Sequence, residues 1–331
     1  MKISDLGEFG LIERIAPLFN NLMTLDIKGI GDDCAVLPMD DKYNLVVTTD
    51  MLIEGVHFLK DKITPNELGH KVLAVNLSDI AAMGATPIAS FLSFALPDNT
   101  DVQYIDDFMS GYQSLSQKYN TPLLGGDTVK SDKNLVFNVT LIGKVEKEKV
   151  RLRNMAKEGD IIAVTDYLGD SAAGLNAILN DINTPTAENL KKKHTMPHPH
   201  IDEGLWLSNQ LGVNAMMDVS DGLASDIKHI LRASKKSASI ELMQIPLSSD
   251  YLNYIEENNL NKYEFSTSGG EDYCLLLTIS KDRFEEISES YHNKFNKSLF
   301  NIGEVCNGKG EISFFNNGDK VEKSKDGFTH F

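Results

Sequence analysis

The segment 65–84, PNELGHKVLAVNLSDIAAMG, repeats apolar residues near helical spacing (Leu68, Val72, Val75, Ile80, Met83) and stops at a glycine, so it predicts a helix. Asp79 stands inside its apolar run, between Leu77 and Ile80. A carboxylate placed there is partly desolvated, which costs free energy unless a cation pairs with it. The fold must then bring a positive side chain or a metal to this helix. A plain helix-capping role for Ser78 or Asp79 is the competing explanation.

Asp79 has counterparts. Aspartates open or close apolar runs in GIGDDCAVLP (Asp32, Asp33), LVVTTD (Asp50), LLGGDT (Asp127) and MMDVSDG (Asp218, Asp221). One acidic pair behind a glycine is ordinary turn chemistry, and Ser220 or Asp221 alone could cap the helix that follows. Neither explanation covers Asp218, nor the recurrence.

Between these acids, strand-like and helix-like runs alternate along both halves of the chain, which predicts a mixed α/β (α+β) protein. A length of 331 residues with 41% apolar content suffices for two cores. The charged stretch KVEKEKVRLRN (144–154) reads as devoid of core residues and marks the expected boundary, giving domains 1–148 and 149–331. Three scattered cysteines do not make a disulfide framework and suit a reducing compartment. The opening MKISDLGEFGLIERI lacks a signal-peptide core, and no window nears the roughly 18 apolar residues of a membrane span. The expectation is a cytoplasmic protein. A net charge of −16 argues against nucleic acid, and any polyphosphate bound must arrive with cations.

Carboxylate oxygens suit hard cations. No calcium loop with acids at alternate positions is present, so acids spread from Asp32 to Asp221 can converge only through the fold. Mg²⁺ takes one or two carboxylates per ion and completes its shell with water and substrate phosphates, so dispersed aspartates fit a multi-metal phosphoryl-transfer site. Neither GxxxxGK[ST] nor GxGxxG occurs, which excludes the common phosphate cradles.

GEFGLI, IGDDCAV, TTDMLIEGVHF, NLSDIAAMGATP, LLGGDT, MDVSDGLASD, GGEDY and the terminal GFTHF, in this order over almost the whole chain, together resemble the thiamine-monophosphate kinases. Several of these motifs also fit the wider superfamily of aminoimidazole-ribotide synthetases. The resemblance implies a homodimer of two-domain subunits whose N-terminal sheets pair into a barrel at the interface. It implies ATP as co-substrate, Mg²⁺, and transfer of the γ-phosphoryl to thiamine monophosphate. By the same resemblance Asp32, Thr48, Thr49, Asp50, Asp79, Asp127, Asp218 and Asp221 match metal positions, with Asp32 rather than Asp33 facing metal. Gly126, Asp127, Arg153 and Ser220 match nucleotide contacts, and His57, Glu271 and Phe328 match thiamine contacts. The acceptor is already an anion, so no general base is expected; Asp50, Asp79, Asp127 and Asp218 assist through metal. The sequence departs from the family at His200 and Lys130, where arginine is usual, and His194, His198 and His200 read as a solvated loop. An ATP-dependent synthetase of the same superfamily and a non-catalytic acidic metal-binding protein are the alternative readings.

Overall fold

A computed structural model describes residues 2–24 and 26–321 and arranges them on two mixed β-sheets. Helix α1 (Ile3–Ile15) is followed by β1 (Ala35–Pro38), β2 (Tyr43–Ile53), α2 (Pro65–Ala82), β3 (Thr86–Leu96), α3 (Val102–Lys118), β4 (Leu123–Lys130) and β5 (Val136–Glu146). The first sheet has the order β1-β2-β5-β3-β4, antiparallel except between β3 and β4, which the α3 crossover joins in parallel. In β5 every second residue, Phe137, Val139, Leu141, Gly143 and Val145, is buried, as strand geometry requires of a half-buried sheet. Phe137 stacks on Phe108 of α3 with ring centroids 4.4 Å apart. The other face of this sheet stays open, and β4 is exposed throughout.

Helix α2 begins on a capping box, Thr64 with Glu67, and Pro65 at its first turn. It is buried on nearly every side. Such a helix needs partners all round, and α3 approaches it at two glycines. A Cβ on Gly69 would sit 1.9 Å from Phe108 O, and one on Gly111 would sit 1.8 Å from Asn66 O. Glycine to alanine inside a helix ordinarily stabilises it by about 1 kcal/mol. Here the sign reverses: Gly111→Ala is expected to cost roughly 1–3 kcal/mol by forcing the helices apart, measured by urea unfolding.

The second sheet contains β6 (Ile161–Val164), β7 (Val213–Asp218), β8 (Lys236–Glu241), β9 (Leu275–Ile279), β10 (Phe300–Asn307), β11 (Ile312–Asn316) and β12 (Asp319–Val321) in the order β12-β11-β8-β10-β6-β9-β7. Around it lie α4 (Asp170–Leu179), α5 (Pro185–Thr195), α6 (Ile201–Ser208), α7 (Leu223–Ser234), α8 (Ser249–Glu257), α9 (Glu264–Ser268) and α10 (Phe284–Phe295). One apolar core runs from β5 through α2 (Leu73, Leu77, Ile80) to Val213 and Met216 of β7 and Leu275 and Leu277 of β9. Helix α2 is therefore shared by both halves, and whatever it carries lies between them.

The stretch 144–154 differs from its expected lack of core residues. Val145 completes the buried row of β5, and the buried Arg151 sends Nη2 to Ser208 O at 2.5 Å. Cys34 and Cys274 are buried free thiols. Among the described residues no helix is long and apolar enough to cross a membrane.

Candidate active site

Four elements converge at the C-terminal end of α2. The turn before β1 supplies Asp33, β2 supplies Thr48 and Asp50, the last turns of α2 supply Asn76, Ser78 and Asp79, and the last residue of β7 is Asp218. Carboxylate oxygens of Asp33, Asp79 and Asp218 lie within 4.8 Å of one another. Asp50 hydrogen-bonds the Asp79 carboxyl, so that pair holds a proton when no cation is bound. Polar neighbours orient the group: Thr48 Oγ1 donates to Asp79 Oδ2, Ser78 Oγ donates to Asp218 Oδ2 at 2.6 Å, and Asn76 Oδ1 accepts from the Asp50 amide at 3.2 Å.

The two adjacent acids divide as residues on an extended segment must, but in the opposite sense to the expectation. Asp33 enters the cluster, while Asp32 Oδ1 accepts from the Arg153 amide at 2.7 Å. Arg153 fixes this choice from across the chain, because its Nη2 also grips Asp33 Oδ1 at 2.6 Å. Asp33 Oδ2 is buried without a hydrogen-bond partner among the described residues. An orphaned carboxylate oxygen among three other carboxyls is a donor set for a hard cation.

Burial pushes the Asp218 carboxyl up to about 8, with Asp33 adding repulsion, and pushes Asp50 up to about 6. Asp79 rises well above the carboxylate range through burial and the charges of Asp50, Asp218 and Asp33. Unfolded, such groups titrate near about 4, so the folded metal-free protein holds these protons more tightly. The stability these carboxyls contribute is therefore full at the acid side and is lost as pH rises from about 4 through about 8. The Tm of EDTA-treated wild type relative to that of Asp218→Asn is expected to decline across that window, and the gain from added Mg²⁺ to grow across it in the wild type more than in Asp218→Asn, in a thermal-shift series.

Other expected site residues lie apart from this group. Asp127, on the exposed edge strand β4, takes the Thr128 amide at 2.9 Å and is three strands from β2, roughly 14 Å across the sheet. Gly126 precedes it on the same strand. Thr49 turns to the open face, where Asn138 Nδ2 and Thr140 Oγ1 donate to its hydroxyl at 3.1 and 3.2 Å. Asp221 is outside the 4.8 Å group; its amide donates to the buried Asp226, which orders the turn into α7.

Beside the carboxylates opens a cavity of about 570 Å³ between the loop after β2 and helices α4 and α9. Val56, Phe58, Leu175 and Phe265 make its walls largely apolar, and His57, Ser220 and Glu271 reach it as well. Asp272 holds one wall in place by accepting from the Gly169 and Ser171 amides at the start of α4, at 2.7 and 3.1 Å. Glu271 sits at a positive φ of 65° and pairs with Lys71 Nζ at 2.8 Å and His194 Nδ1 at 3.1 Å. Burial opposes the charge of Glu271, yet Lys71 and His194 keep its carboxyl below the usual range. Phe328 lies outside the described residues.

Lys71 is fully buried and absent from the sequence expectation. Its signal was available: Lys71, Ser78 and Asp79 stand seven and eight positions apart, on one helix face. The histidines also depart from expectation. His194 is buried and burial pushes it down to about 4, while His200 is 1% exposed; only His198 is partly open to solvent. His194 stands in the last turn of α5, whereas His198 and His200 do lie in the connection to α6, and it is burial of His194 and His200 that departs from a solvated loop.

A two-domain chain with this arrangement is an AIR synthase related protein: the model of that family's N-terminal domain matches residues 31–145 and the C-terminal one matches 157–315. The chain is 39% identical to the thiamine-monophosphate kinase of Haemophilus influenzae over 98% of both chains, and 36% identical to that of Aquifex aeolicus over the full length of each. The solved structure of AaThiL complexed with AMPPCP and TMP is similar with a TM-score of 0.86 at 34% identity, covering 100% of this chain and 99% of that one. The chain belongs to the thiamine-monophosphate kinase family.

Proposed function

We propose that this protein transfers the γ-phosphoryl of ATP to the phosphate of thiamine monophosphate, giving thiamine diphosphate and ADP. The observation that carries the reading is the convergence of Asp33, Asp50, Asp79 and Asp218 beside an apolar cavity that ends on an ionised glutamate. A phosphate oxygen of the acceptor forms the new bond to the γ-phosphorus as the bond to the bridging oxygen of the departing ADP breaks. Bound Mg²⁺ would neutralise the two polyanions and hold their phosphates in line. Asp33, Asp50, Asp79 and Asp218 would hold it, with Thr48 and Ser78 orienting two of them. Asp32 serves instead to fix the Arg153 backbone. No side chain need abstract a proton, because the attacking oxygen is already anionic.

The cavity is of the size that accepts a small molecule, and its apolar walls suit aromatic rings. Glu271 offers a negative charge to a cationic thiazolium, His57 lies on the same rim, and Phe328 completes the set in this proposal. Arg153 and Ser220 stand on the nucleotide side. Asp127, Gly126, Thr49 and Asp221 join through assembly and substrate binding. The open face of the first sheet, with Phe91, Met51 and Val129 exposed, is the surface through which two copies would pair, bringing the exposed β4 into the site. The division at 148/149 and a cytoplasmic location belong to the same proposal.

Purified protein with MgATP and thiamine monophosphate tests it. Thiamine diphosphate and ADP should form in equal amounts and only with divalent metal. ATP consumption that releases inorganic phosphate and needs another acceptor would favour the synthetase alternative.

A further inference from the structure

His200, buried on the segment between α5 and α6, belongs to a second group of metal-ligating side chains. We propose that His198, His200 and Glu203 bind a borderline-soft divalent cation of the zinc type, separately from the carboxylate cluster. One nitrogen from each histidine and one Glu203 oxygen lie within 4.8 Å of one another. His198 Nε2 is 3.5 Å and His200 Nδ1 is 3.7 Å from Glu203 Oε1. Tetrahedral ligands about 2.0–2.1 Å from Zn²⁺ stand roughly 3.3–3.5 Å apart, so two edges of that polyhedron are nearly in place without an ion. Two imidazoles and one carboxylate prefer zinc to magnesium, whose partners are oxygens.

The surroundings fit a ligand set. The sequence Pro197-His198-Pro199-His200 fixes the backbone between the two rings, which limits the entropy lost when they close on an ion. His200 Nε2, the nitrogen turned away from Glu203, is 3.8 Å from Asp166 Oδ2, an acid near enough to favour a positive charge at the site though beyond hydrogen-bond distance. The hydroxyl of the buried Tyr291 has no hydrogen-bond partner among the described residues and lies within electrostatic reach of Glu203 and Asp166. The cation now on Glu203 is Lys297, whose Nζ is 2.7 Å from Oε1. The Lys297 side chain is 38% exposed, so it can swing into water and give up its place. A bound ion would tie the segment after α5 to the first turn of α6 and so brace the helix that packs on α2.

The test is calorimetric titration of Zn²⁺ into full-length, EDTA-stripped protein in excess Mg²⁺, which occupies the carboxylate cluster. About one Zn²⁺ per chain should bind saturably and raise Tm. His198→Ala, at the partly exposed ligand, and His200→Arg should each weaken binding at least tenfold, with the kinase activity of His198→Ala unchanged. Lys297→Met should tighten binding several-fold by removing the competing cation. Absence of saturable binding, equal affinity in wild type and His198→Ala, or unchanged affinity in Lys297→Met would overturn the proposal.

Discussion

Asp79→Asn is expected to lower turnover by at least about 10²–10³-fold, while the metal-free protein melts close to wild type. The two effects have one cause. Asp79 is the hub of the cluster: it bonds Asp50 and Thr48 and lies with Asp33 and Asp218. Without metal, burial and mutual repulsion keep Asp79 protonated, so a neutral amide in its place costs the fold little. With substrates bound, the same carboxyl holds the cations that let ATP and the acceptor phosphate approach. Steady-state kinetics in saturating MgATP, paired with a thermal melt in EDTA, measure both; near-wild-type turnover would remove Asp79 from the site.

Lys71→Met is expected to destabilise the protein by about 3 kcal/mol, toward the lower end of the roughly 3–5 kcal/mol seen when one partner of a buried ion pair is lost. Lys71 is fully buried on α2, and its ammonium meets Glu271 across the junction of the two halves. The substitution keeps the volume and leaves Glu271 with only the neutral imidazole of His194 beside it. The loss should not reach the top of the range, because the Glu271 side chain is 24% exposed and the cavity can hydrate it. Urea unfolding of Lys71→Met and of Lys71→Met with Glu271→Gln forms the test. The double variant should regain most of the lost stability, and a single-variant loss below about 1 kcal/mol would contradict an energetic role for the pair.

The elements with a strong period were legible in the sequence. Helix α2 and strands β2 and β5 fall where apolar spacing puts them, since burial on known faces dictates that spacing. Helix α5 was not legible, because PTAENLKKKHT buries little beyond Ala187, Leu190, His194 and Thr195. Helix α8 was missed for another reason. Its buried face is carried by Tyr251 and Tyr254, whose hydroxyls find partners in Lys262 O at 2.9 Å and Asn176 Oδ1 at 2.7 Å, so they read as surface residues. The aspartates were visible because each stands at the end of an apolar run. Which of Asp32 and Asp33 turns inward was not, since Arg153, far along the chain, decides it. Asp127 shows the converse: its motif is plain in the sequence, yet one subunit leaves it on an exposed edge.

The account rests on carboxylates gathered by folding to hold divalent ions for two phosphate substrates. Calorimetric titration of Mg²⁺ into the protein, with and without a non-hydrolysable ATP analogue and thiamine monophosphate, tests this most directly. Binding should strengthen at least tenfold and take up additional ions when both ligands are present, and Asp79→Asn should abolish that gain. Mg²⁺ binding that is the same with and without the ligands would contradict the account and leave an acidic metal-binding protein in its place.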